Sequence, residues 1–120
     1  MSFSFLNAPK DSKELLMADV TRVLSLLSGS LWLDEISGEV NGFRQTLDRP
    51  STFDDKELKT SVEALKALNL VTTKEGVTAG QDKPRANLLV GLIRTDTLQD
   101  VLRSDADIRK YRTIASSYMP

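Results

Sequence analysis

Residues 58–80 read LKTSVEALKALNLVTTKEGVTAG, and the fold turns on where the period of this stretch changes. Leu58, Val62 and Leu65 recur at helical spacing, with Leu68 or Asn69 continuing the line. Lys56, Lys59, Thr60, Glu63 and Lys66 fall on the opposite face. Upstream, Thr52-Phe53-Asp54-Asp55 has the form of a capping box with Thr52 as N-cap and acids in the first turn, which predicts a helix over 52–69. Leu70-Val71-Thr72-Thr73 is then rich in β-branched residues, as is Val77-Thr78, with Lys74-Glu75-Gly76 between them. That pattern predicts a small β-hairpin over 70–79 with Lys74 at its tip, followed by a loop from Gly80 to Lys83.

Working outward, Leu16, Val20, Val23, Leu24 and Leu27 predict a first helix over about 12–28. Gly29 is suited to a left-handed cap at its end. Leu31 and Trp32 read either as a short extended piece or as a core plug. Ile36, Val40, Phe43 and Leu47 predict a second helix after Leu33, ended by Arg49-Pro50-Ser51. Gly38 and Gly42, four apart, suggest a face on which another backbone approaches closely. Downstream, Asp82, Lys83 and Pro84 open a predicted fourth helix carrying Leu88, Leu89, Leu92 and Ile93. Leu98, Val101 and Leu102 extend that pattern, with a break at Thr95-Asp96. Ser104-Asp105-Ala106-Asp107 caps a last helix with Ile108, Tyr111, Ile114 and Ala115, ending before Pro120. The organisation is a flexible arm over 1–11 and a single domain over 12–120, with a core at about 20–80 and C-terminal helices at about 84–118.

Composition narrows the function. The chain has 120 residues, 40% hydrophobic and 28% charged, which describes one globular domain. It contains no cysteine and no histidine. Disulfides, thiolate metal sites and cysteine or Ser-His catalysis are therefore excluded. Asp34, Glu35 and Glu39 lack the spacing of an oxygen-only metal site and read as a solvated helix face. No catalytic residue, metal or cofactor is expected, and the chain reads as a non-enzyme. Sixteen basic residues against seventeen acidic give a net charge of −1, so no chain-wide field attracts nucleic acid. The N-terminus lacks a basic n-region and no run is long enough to span a membrane, so a cytoplasmic protein is expected, or a nuclear one in a eukaryote.

The order of helices followed by a hairpin resembles the winged helix-turn-helix superfamily over residues 20–80. The phrase Ser61-Val-Glu-Ala-Leu-Lys-Ala-Leu-Asn-Leu-Val is similar to the end of a winged-helix recognition helix. Val77-Thr78-Ala79-Gly80 is similar to the returning wing strand of the MarR and PadR groups. The resemblance implies a mainly α fold with a small β-hairpin and extra N- and C-terminal helices. It implies a transcription regulator that binds double-stranded DNA, with helix 52–69 in the major groove and hairpin 70–79 as the wing. Lys56, Lys59 and Thr60 would face the groove, Lys74 would be the wing contact, and Arg44 and Arg49 would hold phosphates. Asp54, Asp55, Glu57 and Glu63 depart from that pattern, and the recognition helix carries no arginine. The competing expectation is a protein-interaction winged helix within a larger assembly. The apolar content of 86–118 leads to the expectation of a homodimer through that segment.

Overall fold

The computed structural model describes residues 3–79 and 83–117. Six helices and three strands follow in the order α1 (Ser4–Asn7), α2 (Ser12–Leu26), β1 (Ser30–Trp32), α3 (Leu33–Thr46), α4 (Asp55–Ala67), β2 (Val71–Ala79), β3 (Pro84–Leu92), α5 (Asp96–Arg103) and α6 (Ala106–Ser117). The expected classes hold at the coarse level: a mainly helical chain with a small antiparallel sheet in the order β1-β3-β2.

Local signals set most boundaries. Asp11 Oδ1 accepts from the Glu14 amide at 2.9 Å and starts α2. Gly29 ends it in the left-handed region (φ 86°), with its amide on the Leu24 carbonyl. Asp54, not Thr52, caps α4. Asp54 Oδ1 accepts from the Glu57 amide at 2.7 Å, and Glu57 Oε1 accepts in return from the Asp54 amide at 3.3 Å. The box sits two residues later than expected because Asp54 supplies a stronger acceptor than Thr52. Asn69 closes α4 at φ 59°, with Leu70 N bonded to Leu65 O, a six-to-one bond across the helix end. Thr95 Oγ1 and Asp105 Oδ1 accept from the Leu98 and Ile108 amides and start α5 and α6.

Two expectations are corrected. The stretch 70–79 is not a hairpin but one continuous strand, paired along its whole length with β3 from Val71↔Leu92 to Ala79↔Pro84. Gly76 therefore sits mid-strand and Lys74 is not at a tip. Gly80 and Asp82, which entered the expected loop and helix start, lie outside the described residues. The fourth helix does not form, because Pro84–Leu92 is strand β3. Its run Leu88-Leu89-Val90 lies in the central strand, with Val90 buried and Leu88 and Leu89 half-buried, and a short apolar run of that kind has the same appearance in a helix. In the arm, Phe3, Phe5 and Leu6 are the apolar residues the sequence offers for docking. Phe3, Phe5 and Leu6 are buried, and the short α1 packs on α2 as part of the core. The expected end of the last helix near Pro120 also falls beyond the described residues.

α2 contributes Leu16, Val20, Val23 and Leu24 to the core, α3 contributes Ile36, Val40 and Phe43, and α4 contributes Leu58, Val62 and Leu65. Val71 and Val90 close it from the sheet. Leu98, Leu102 and Ile108 are also buried within the chain, and Tyr111 stacks on Phe43 with ring centroids 5.2 Å apart. Of the apolar residues behind the homodimer expectation, Val90, Leu98, Leu102 and Ile108 are buried by the chain itself, while Leu88, Leu89, Leu92, Ile93 and Val101 are half-buried. Gly38 and Gly42 carry no close approach: a Cβ at either would meet open space.

A buried ionic cluster ties the helices together. Asp19, fully buried in α2, accepts from Arg22 at 2.9 Å, from Arg44 at 2.7 Å and from Arg49 at 3.1 Å. Arg22 also engages Asp105 at 3.1 Å, Asp107 at 3.2 Å and the Leu6 carbonyl at 2.8 Å. Three arginines thereby meet three aspartates contributed by α2 and by the start of α6. Burial alone would lower the Arg22 pKa, but the Asp105 and Asp19 carboxylates outweigh it and the guanidinium is held more firmly protonated than usual.

Candidate functional site

The outer side of α4 and the β2–β3 ribbon enclose the main groove. α4 turns Leu58, Val62 and Leu65 inward, which leaves Lys56, Lys59, Thr60, Glu63 and Lys66 exposed. No ion pair holds any of these lysines among the described residues. The Thr60 hydroxyl donates to the Lys56 carbonyl at 2.9 Å, so it keeps its acceptor capacity and its methyl toward solvent.

β1 pairs with β3 only at Ser30↔Gly91, Leu31↔Val90 and Trp32↔Leu89. Beyond Leu89 the sheet is a two-stranded ribbon. Nine residues of strand span about 30 Å, so roughly half of that length extends past β1. Paired residues share a face and alternate residues switch faces. Thr73, Glu75, Val77, Ala86 and Leu88 therefore share the face of the core residues Val71 and Val90. Lys74, Gly76, Thr78, Arg85 and Asn87 share the other face, with Trp32 and Leu89.

Between α4 and the core-side face of the ribbon lies a groove of about 970 Å³. Its apolar lining includes Leu33, Leu58, Val77 and Leu88; Val77 is the most exposed of the large apolar side chains, at 69%. Its charged lining comprises Lys59, Lys66 and Arg85 with Asp34, Asp55, Glu63 and Glu75. Arg85 is engaged by Asp34 at 3.0 Å. The remaining charges are close to balanced, so the groove is amphipathic rather than basic.

The expected contact residues separate into three groups. Lys56, Lys59 and Thr60 stand together on α4, and Lys59 also lines the groove. Lys74 is exposed but mid-strand, on the opposite ribbon face from Glu75 and Val77, and does not line the groove. Arg44 and Arg49 are withdrawn. Arg44 is 5% exposed, its Nε donates to Asp19, and its guanidinium lies 5.5 Å from the Phe53 ring centroid. Arg49 is shared between Asp19 and Asp107 and lies over Phe43. Both were expected on phosphates because they flank a helix-helix turn. Asp19, more than twenty residues away in sequence, takes them inward instead. The one available signal was the i, i+3 pair Asp19 and Arg22 set among the apolar residues Val20, Val23 and Leu24.

A second cluster is drawn from the other ribbon face and borders the same groove, whose lining also includes Asp34, Gly76, Arg85 and Asn87. Asp34, in the first turn of α3, accepts from Arg85 at 3.0 Å and from Asn87 Nδ2 at 3.0 Å. The Asn87 hydrogen bond, helped by the Arg85 charge, holds the Asp34 carboxyl below the usual carboxylate range against the opposing effect of burial. Trp32 covers Gly76 so closely that a Cβ there would sit 2.7 Å from Trp32 Cη2. This cluster joins residues some fifty positions apart and has no periodic signature.

Among the described residues no group of three or more histidine, cysteine, aspartate or glutamate side chains is arranged to hold a metal, and no helix is long and apolar enough to cross a membrane. The chain matches no protein-family model, and comparison with curated proteins finds no relative.

Proposed function

We propose that the chain is a winged-helix module that binds double-stranded DNA, with α4 as the recognition helix and the β2–β3 ribbon as the wing. The reading draws support from the order α2-β1-α3-α4-β2-β3, which agrees with the winged-helix order. The observation that carries it is the exposed group Lys56, Lys59, Thr60 and Lys66 on α4, its lysines free of ion pairs among the described residues, beside a ribbon that projects past the sheet. Lys56 and Lys59 lie in the first half of α4, the part of such a helix that enters the major groove. Their ammonium groups attract phosphates, and the Thr60 methyl suits a thymine methyl. Lys83, the residue before β3, takes the place first given to Lys74 as the wing contact. Arg44 and Arg49 take no part in the contact. They brace α3 from inside.

The test is fluorescence anisotropy with a mixed-sequence duplex at several salt concentrations, comparing wild type with the Lys56→Glu, Lys59→Glu double variant. Each lysine on a phosphate adds about 0.9 to the slope of log affinity against log salt, so the variant loses about two units of slope together with at least about ten-fold in affinity. Wild type that binds no duplex at low salt overturns the reading.

A protein partner is the second reading. Its specific support is the acidic lining by Asp55, Glu63 and Glu75 in the same groove, together with the withdrawal of both arginines from the surface.

A further inference from the structure

We infer that the β1–α3 junction is a clamp that fixes the ribbon over α4, with Trp32 and Asp34 as the positioning residues. A bare two-stranded ribbon is marginal in water, because half of its surface finds nothing to pack against. The distal ribbon formed by 74–79 and 84–88 lacks a third strand, yet the face carrying Gly76, Arg85 and Asn87 is held at two points. Trp32 lays its six-membered ring on Gly76, and only glycine at that position leaves room for the ring. Asp34 then takes the next two same-face positions on β3 with one carboxylate: Asn87 on Oδ1 and Arg85 on Oδ2. Asn87 Nδ2 reaches on to Thr78 Oγ1 at 3.3 Å, which carries the restraint across to β2.

The arrangement is directional. Both clamp residues come from one short segment, Trp32 as the last residue of β1 and Asp34 as the second residue of α3. Glu35 Oε1 accepts from the Trp32 amide at 3.0 Å, which fixes that segment to the start of α3. α3 in turn is anchored on α2 through Arg44 and Asp19. The ribbon angle is thereby referred to the helical core, and the width of the groove between ribbon and α4 follows from it. For DNA contact the inference rests on the function proposed above: a wing held at a fixed distance from the recognition helix meets the backbone without first paying the entropy of ordering itself. Asp34 and Trp32 act through the ribbon as positioning residues.

The decisive experiment compares wild type with Asp34→Ala and with Gly76→Val, which drives the Trp32 ring aside, by residue-resolved amide exchange, thermal unfolding and duplex anisotropy. Trp32 is the only tryptophan, so its emission reports the ring contact directly. Asp34→Ala raises exchange on the order of five-fold or more in the distal ribbon while α2, α3 and α4 keep wild-type protection, as local opening below the global limit requires. Duplex affinity falls with it, while Tm falls by at most about 5 °C, the small loss of a half-exposed ion pair. In Gly76→Val the emission shifts to the red and the ribbon behaves likewise. Ribbon exchange that stays at the wild-type rate in both variants overturns the clamp, as does exchange that rises equally throughout the helices. If wild type binds no duplex, the DNA reading fails by itself and the exchange pattern still decides the clamp.

Discussion

Asp19 is the most consequential single side chain in the fold, and its replacement by alanine gives a quantitative test. The carboxylate is fully buried and accepts from three guanidinium groups, at 2.7, 2.9 and 3.1 Å. Without it, Arg22 retains Asp105, Asp107 and the Leu6 carbonyl, while Arg44, equally buried, retains only the ring of Phe53. Stranding one partner of a buried pair costs about 3–5 kcal/mol, most of it the penalty of an uncompensated charge rather than the intrinsic strength of the pair. Arg44 meets that condition, so a loss of about 4 kcal/mol is expected, a large share of the roughly 5–15 kcal/mol that holds a typical domain folded. At about 3–5 °C per kcal/mol for a chain of this size, Tm falls by about 15 °C. Urea unfolding followed by circular dichroism measures the loss. Asp100→Ala is the control, since the Asp100–Arg103 pair is solvent-exposed on both sides and contributes at most about 1 kcal/mol. Because the Asp19 cluster is shielded from ions, its contribution persists with added salt while that of the surface pair fades. A loss within about 1 kcal/mol of wild type for Asp19→Ala would refute the reasoning.

Two further predictions concern single groups. The Ser61 hydroxyl is buried in α4 with no hydrogen-bond partner among the described residues, so Ser61→Ala is expected to be neutral or to stabilise by up to about 1 kcal/mol, measured by the urea midpoint at unchanged slope. The Asp34 carboxyl is held below its unfolded-state pKa, so the stability it contributes is complete above the unfolded value and disappears as pH falls through the folded one. Wild type and Asp34→Asn should therefore differ at neutral pH and converge below the usual carboxylate range; a gap that widens toward acid would contradict that assignment.

The helical part of the fold was legible because its signals are local. Leu58, Val62 and Leu65 at helical spacing, Gly29 and Asn69 at helix ends, and acids before the helix starts act within a turn or two of where they stand. The sheet was legible only in part. Val71 to Thr73 read correctly as strand, but Gly76 looked like a turn when its role is to make room for Trp32, a residue distant in sequence. Leu88 to Leu92 read as helix because a central strand with apolar residues on both faces shows no alternation. The candidate site divides along the same line. Lys56, Lys59 and Thr60 follow from the face of one helix and stand where that face places them. Arg44, Arg49 and Lys74 were assigned by proximity to turns, and non-local pairing with Asp19, or the true length of β2, moved them elsewhere.

The central claim, that α4 and the β2–β3 ribbon form one DNA-contacting surface, is tested most directly by titrating the isotope-labelled protein with a mixed-sequence duplex and following backbone amide shifts. The account predicts the largest changes at Lys56, Lys59, Thr60 and Lys66 and around Lys83, with the amides of Arg44 and Arg49 near their free positions. Changes confined to α5 and α6, or no changes at low salt, would contradict it and direct attention to a protein partner for the groove.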